Sequence, residues 1–146
     1  MSVARRIGVT LVLAVCVQSL AASTPCASEK RSTPVNHKEY EELQEFVNAG
    51  HQPWRMDARA VAAEQVLLLE MVTKDNKDVY TLPLSLVEQD GRRAVFQFLS
   101  KRQAGVTYRI TVRRFEWLFP LAEKWEWMIW VPTEATVTRC QVESNR

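Results

Sequence analysis

The chain has 146 residues, 25% of them charged and 47% hydrophobic, and its 19 Lys and Arg against 17 Asp and Glu leave a net charge of +2. That balance excludes a disordered, collagen-like or low-complexity chain, and the length fits one domain around a single core. Four scattered glycines, Gly8, Gly50, Gly91 and Gly105, exclude a Gly-rich nucleotide cradle.

The first 22 residues have the layout of a secretory signal peptide: Arg5 and Arg6, then an uncharged run of eleven residues from Ile7 to Val17, then small and polar residues offering cleavage after Ala21 or Ala22. A run of eleven is shorter than the roughly 20 residues a membrane span needs, so no transmembrane span is expected in the mature chain. The Arg pair lacks the flanks of a twin-arginine signal, which favours general secretion. Removing residues 1–22 takes away two arginines and leaves 17 basic against 17 acidic residues, a net charge of about zero. Nucleic-acid binders neutralise phosphates with a basic surplus, so no nucleic-acid partner is expected. The expected location is outside the cytoplasm, periplasmic or secreted.

Export also removes Cys16 and leaves Cys26 and Cys140, which in an oxidising compartment pair most simply as one disulfide. Lipid anchoring is disfavoured because Val15 and Pro25, neither a small residue, precede Cys16 and Cys26.

Residues 23–35 are polar with Pro25 and Pro34 and predict a flexible leader, and residues 36–146 a single α+β domain. Asn36 is a helix N-cap for a helix ending at Gly50, with Tyr40, Leu43, Phe46 and Val47 at helical spacing. Asp57 caps a second helix from Ala58. The apolar run 66–72 fits either the end of that helix or a buried strand; a strand from about Gln65 is favoured, because 74–78 then makes a hairpin turn. Tyr80, Leu82, Leu84 and Leu86 alternate like a strand, at an edge or bulged where Pro83 cannot donate. An Asp90-Gly91 turn leads to a strand with Ala94, Phe96 and Phe98 inward, and Val106 to Arg113 alternates most cleanly of all.

The stretch 115–130 crowds in Phe115, Trp117, Phe119, Trp125, Trp127 and Trp130. It reads as two strands joined by a bend at 120–124, followed by a last strand over 134–142. In a strand, Trp125, Trp127, Ile129 and Val131 share the core face, and Met128 and Trp130 lie on the other, where helices or a partner must cover them. An uncovered aromatic patch would mark a contact surface.

Charge is uneven. Residues 91–115 hold seven Lys and Arg with no acid, whereas 36–90 hold 11 acids against five bases. Internal complementarity is the simplest account; alternatively Arg109 and Arg113, on one sheet face, offer a site for an anionic partner such as phospholipid, glycan or carboxylate.

Catalytic motifs are missing: there is no Gly-x-Ser-x-Gly, Walker, His-Glu-x-x-His or Cys-x-x-Cys pattern. His37 and Glu41 have helix-ligand spacing, but two ligands do not close a metal site, and no metal or cofactor is expected. Acid/base chemistry from His51, Asp57 or Glu64 in a pocket is the enzymatic alternative. The segment Gly50-His51-Gln52-Pro53-Trp54-Arg55-Met56-Asp57 resembles one in small uncharacterised exported bacterial proteins, a resemblance that implies export and no assigned activity. The same residues suit a structural role: Pro53 fixes a turn, Trp54 plugs the core, and Arg55 reaches back to acidic helix residues.

The expected architecture is therefore two N-terminal helices on a curved antiparallel sheet of five or six strands, cystatin-like or NTF2-like in outline. The expected function is non-catalytic binding of a protein or amphipathic ligand, with Trp54, Arg55, Arg109, Arg113, Trp117, Trp127 and Trp130 as candidate contacts. The alternatives are a small NTF2-like enzyme with an acid/base residue in a helix–sheet pocket, and a secreted inhibitor acting through the loop 51–55.

Overall fold

The structure, a computed structural model, describes residues 25–71 and 78–142. The proposed signal peptide and residues 74–77 of the expected hairpin turn lie outside the described residues.

The fold is α+β, with one open antiparallel sheet of five strands in the order β1-β5-β4-β3-β2. The strands are β1 (Cys26–Ser32), β2 (Ser85–Gln89), β3 (Arg93–Leu99), β4 (Val106–Arg113) and β5 (Val131–Cys140). The helices are α1 (His37–Asn48), α2 (Ala58–Leu69) and two single turns, α3 (Asp78–Thr81) and α4 (Phe119–Ala122).

The polar leader differs from the expected arm. Residues 26–32 form the edge strand β1, in register with β5 from Cys26↔Cys140 to Ser32↔Glu134. Every β1 residue is exposed, so the strand brings no apolar side chain to the core and its composition reads as linker. Its ladder, the Cys26–Cys140 disulfide and cross-strand pairs such as Lys30–Glu134 (2.7 Å) hold it in place.

Both helix starts follow from their caps. Asn36 Oδ1 accepts from the Glu39 N–H, and Asp57 Oδ1 accepts from the Arg59 N–H at 2.9 Å. The strand expected from Gln65 is instead the second half of α2. This helix is buried at Ala58, Ala60–Ala63, Val66 and Leu67, so no polar stripe reveals its period. The Ala-rich first turns propagate the helix through the leucines, and it stops at Met71, which has φ of 54°.

Tyr80 and Leu82 accordingly precede the sheet, Tyr80 in α3 with an exposed side chain. Pro83 also precedes β2, which is itself an edge strand, bulged between Leu86 and Glu88. The β2–β3 hairpin turns at Asp90-Gly91 as expected, with Asp90 Oδ1 accepting from the N–H groups of Arg92 and Arg93, both at 2.7 Å. Ala94, Phe96 and Phe98 on β3 and Val106, Tyr108, Ile110 and Val112 on β4 are buried beneath α2, matching their alternation.

The aromatic stretch forms no strand before Val131. It folds as a 3-10 turn (Glu116–Leu118), then α4 with Pro120 in its first turn, then a second 3-10 turn (Trp125–Trp127). Gln44 of α1, fully buried, makes this possible. Its Nε2 donates to the Trp127 carbonyl at 3.1 Å, and its Oε1 accepts from the Ile129 N–H at 2.9 Å, replacing a strand ladder. Helix α1 therefore packs over Leu118, Ala122, Met128 and Ile129, while α2 packs on the sheet. Phe46, expected on the inner face of α1, is 43% exposed and stacks on His51.

Candidate functional site

The segment Gly50–Asp57 is a structural junction. Gly50 has φ of 89° and Gln52 has φ of 47°, so the chain reverses through two left-handed residues before Pro53 starts a 3-10 turn. Trp54 enters the α2–sheet core. The Arg55 guanidinium lies 4.4 Å from the Trp54 ring centre, 3.6 Å from the Glu64 carboxylate and 2.7 Å from Gln52 Oε1. The Arg55 carbonyl accepts from the Trp130 N–H at 2.8 Å. Trp54 and Arg55 are thus occupied with their own protein rather than turned towards a partner.

The acid/base candidates are placed similarly. Asp57 is exposed and caps α2, His51 is exposed against Phe46, and buried Glu64 faces Arg55. The interior between α2 and the sheet is filled by Trp54, Phe96, Tyr108 and Trp130, and at its rim Asp57 lines an open hollow of about 530 Å³ with Arg59, Phe96, Arg114 and Trp130.

Of the remaining candidates, Trp130 is only 4% exposed, which corrects the expectation of a free sheet face around it. The reason is the missing strand: residue 130 precedes β5 and turns its ring into the core. Trp127 is half exposed, with Lys124 Nζ 4.2 Å from its ring centre. Arg109 lies on the outer sheet face between Gln97 and Thr136. That face carries Thr107, Thr136 and Thr138 beside it and is polar rather than aromatic, so most of the arginine-bearing and aromatic surfaces do not coincide.

They coincide at one corner, where Arg113 and Trp117 meet. An open cleft of about 450 Å³ there is bounded by the β2–β3 turn, the last residues of β4 and the first residues of the aromatic stretch. Arg93 and Arg113 are direct cross-strand partners facing solvent. Arg93 Nη1 contacts Glu88, and Arg92 Nη2 lies 2.5 Å from Glu116 Oε1. Arg113 is exposed and makes no side-chain hydrogen bond or ion pair among the described residues, although its charge acts on the nearby Asp90 carboxylate. The apolar wall is Phe115 and Trp117, whose ring centres are 5.8 Å apart, and Trp117 is stacked from its other side by His37 at 4.2 Å. His37 is thus a ring contact on the wall.

Arg114, next in sequence, also lines the cleft, but its guanidinium is engaged elsewhere. Its guanidinium lies 4.7 Å from the Trp130 ring centre and donates to the carbonyls of Met56 (3.4 Å) and Glu126 (3.3 Å). Burial pushes its pKa below the usual arginine value, with nearby Glu126 acting in the opposite direction. Asp90 is held below the usual carboxylate range by the N–H groups of Arg92 and Arg93.

Sequence reasoning found Arg113 and Trp117 and missed Arg92, Arg93 and Phe115. Their signal was the acid-free run over 91–115; only the β3–β4 register shows which of its arginines meet. The corner offers guanidinium donors and an aromatic wall, which suits holding an anion. Among the described residues no group of three or more His, Cys, Asp or Glu could hold a metal ion. No helix among them is long and apolar enough to cross a membrane. No protein-family model matches this chain, and comparison with curated proteins and with solved structures finds no significant match.

Proposed function

We propose that this protein is an exported, non-catalytic binding module whose Arg113–Trp117 corner receives a partner with an anionic group beside an apolar one. The observation that carries the reading is the solvent-facing Arg93–Arg113 pair. Like charges placed directly opposite across an antiparallel ladder destabilise the sheet; Glu88 on Arg93 and the nearby Asp90 offset part of that cost, and a counter-charge from outside on Arg113 would relieve the rest. Export is supported by the signal-like first 22 residues, by the Cys26–Cys140 pair and by the resemblance of Gly50–Asp57 to exported bacterial proteins. A cystatin-like or NTF2-like outline remains part of the proposal, supported by a helix laid across an antiparallel sheet.

The test uses the purified, disulfide-bonded protein as bait in envelope extract, beside Arg113→Ala and Arg109→Ala. Capture that falls with Arg113→Ala and survives Arg109→Ala, with both variants melting like the parent, is the expected result. Capture indifferent to Arg113 overturns the reading.

A further inference from the structure

The charge arrangement at the corner is specific enough to name the chemistry of the group it takes. Arg92, Arg93 and Arg113 line the cleft from two strands and a turn, beside Arg114, so guanidinium groups border it on more than one side. A planar carboxylate offers two oxygens and is satisfied by one arginine fork, whereas a tetrahedral oxoanion offers three or more and can be shared.

The acids around them set the charge that is wanted. Glu88 and Glu116 each face one arginine, Asp90 accepts the Arg92 and Arg93 N–H groups while its charge also acts on the Arg93 and Arg113 guanidinium groups, and Glu134, on an adjoining hollow lined by Arg93 and Arg113, pairs with Lys30. Arg113 has no hydrogen-bonded acid among the described residues and feels only the more distant charge of Asp90. The carboxylates on Arg92 and Arg93 are largely exposed, with Glu116 67% and Glu88 53% accessible, so both can swing aside. A dianion then answers Arg113 and the pair it displaces better than a monoanion does.

We propose that the group bound at this corner is a phosphate monoester dianion bridging Arg93 and Arg113, its organic substituent lying against Phe115 and the edge of Trp117. This deepens the binding reading above and rests on it. A monoester presents about two charges at neutral pH on a tetrahedral centre, and an attached ring or acyl chain uses the apolar wall.

The probes are phenyl phosphate and phenyl sulfate, which share a ring and a tetrahedral head but carry a dianion and a monoanion. Each is titrated calorimetrically into the purified, disulfide-bonded protein and its variants. Phenyl phosphate should bind at least about tenfold more tightly than phenyl sulfate, and Arg113→Ala should weaken it by about tenfold or more, the size of one lost charge-assisted hydrogen bond. Arg109→Ala, on the same sheet face outside the cleft, should leave it within about twofold.

A second arm sediments the protein with vesicles of phosphatidylcholine alone or with phosphatidic acid, whose headgroup is the same monoester. Arg113-dependent sedimentation with phosphatidic acid supports the proposal with a lipid as source; phenyl phosphate binding without sedimentation supports it with a soluble ester. Equal affinity for the two phenyl probes, or binding indifferent to Arg113→Ala, overturns the monoester assignment. If no phosphate probe binds while Arg113→Ala still abolishes capture from envelope extract, the ligand class fails and the binding reading stands. If neither responds to Arg113, both fail.

Discussion

Gln44 and Ile129 are 85 residues apart, yet the Gln44 side-chain oxygen accepts the Ile129 N–H at 2.9 Å inside the protein. The same amide donates to the Trp127 carbonyl and to Asn48 Oδ1, so one fully buried side chain supplies the hydrogen bonds of a backbone segment that belongs to no strand. Gln44→Leu should therefore strand two buried backbone groups and destabilise by about 2 to 6 kcal/mol, at about 1 to 3 kcal/mol for each. Urea unfolding measures the loss. Native-state hydrogen exchange should quicken at Ile129 more than at Ile110 in the α2–sheet core; equal acceleration at both would mean Gln44 only contributes to global stability.

Trp130 is a packing residue. With its ring in the α2–sheet core and against Arg114, Trp130→Ala should cost about 3 to 5 kcal/mol. Arg109→Ala, on the exposed outer face, should stay within about 0.5 kcal/mol. Chemical denaturation of both variants checks the contrast, and a small loss for Trp130→Ala would mean the ring is not held as described.

The disulfide stabilises an edge that has no core residues of its own. It closes a loop with a sequence separation of 114. In the chain-entropy account such a loop contributes about 5 kcal/mol. A Cys26→Ser, Cys140→Ser double variant should lose several kcal/mol, and its amide protection should disappear first across 26–32 while β3 and β4 remain protected. Uniform loss of protection over all five strands would show that β1 does not open separately.

Asp90 couples the hairpin turn to pH. Its carboxyl is held below its usual range chiefly by the Arg92 N–H and then by that of Arg93. A folded pKa below the unfolded one means stability is fully present above about pH 4 and is lost as pH falls through the lower, folded value. Asp90→Asn keeps an acceptor for both N–H groups and removes the titration. The urea midpoint of the parent should thus fall more steeply than that of Asp90→Asn below about pH 4, and the two should run parallel above about pH 5. Parallel curves throughout would show the charge at Asp90 to be irrelevant.

Where local chemistry decides the outcome, the sequence was readable. Asn36 and Asp57 cap the two long helices, Asp90-Gly91 makes the hairpin, and the strict alternation of β4 reflects one buried face and one wet one. Reading failed where the deciding contact is remote or where both sides of an element share one environment. Helix α2 is apolar nearly all round and lost its 3.6-residue period, and β1 is polar all round and lost its two-residue period. Trp125 and Trp127 alternate as strand residues do, but their backbone is completed by Gln44, far away in the chain. At the candidate site, the arginine run and Trp117 stood out from composition. Which arginines meet depends on the Arg93↔Arg113 register, and which tryptophans stay outside depends on the strand that did not form.

Because the first strand lies along the last, the Gln141 N–H reaches the Pro25 carbonyl at 3.1 Å, beside the cystine. The chain that continues from either residue therefore departs from one pole of the sheet. Arg113 pairs with Val131 at the opposite end of β5, nine residues along, a span of roughly 30 Å at about 3.3 Å per residue. The described chain thus enters and leaves the sheet at the pole farthest from the cationic cleft, which keeps the approach to the cleft clear of both ends.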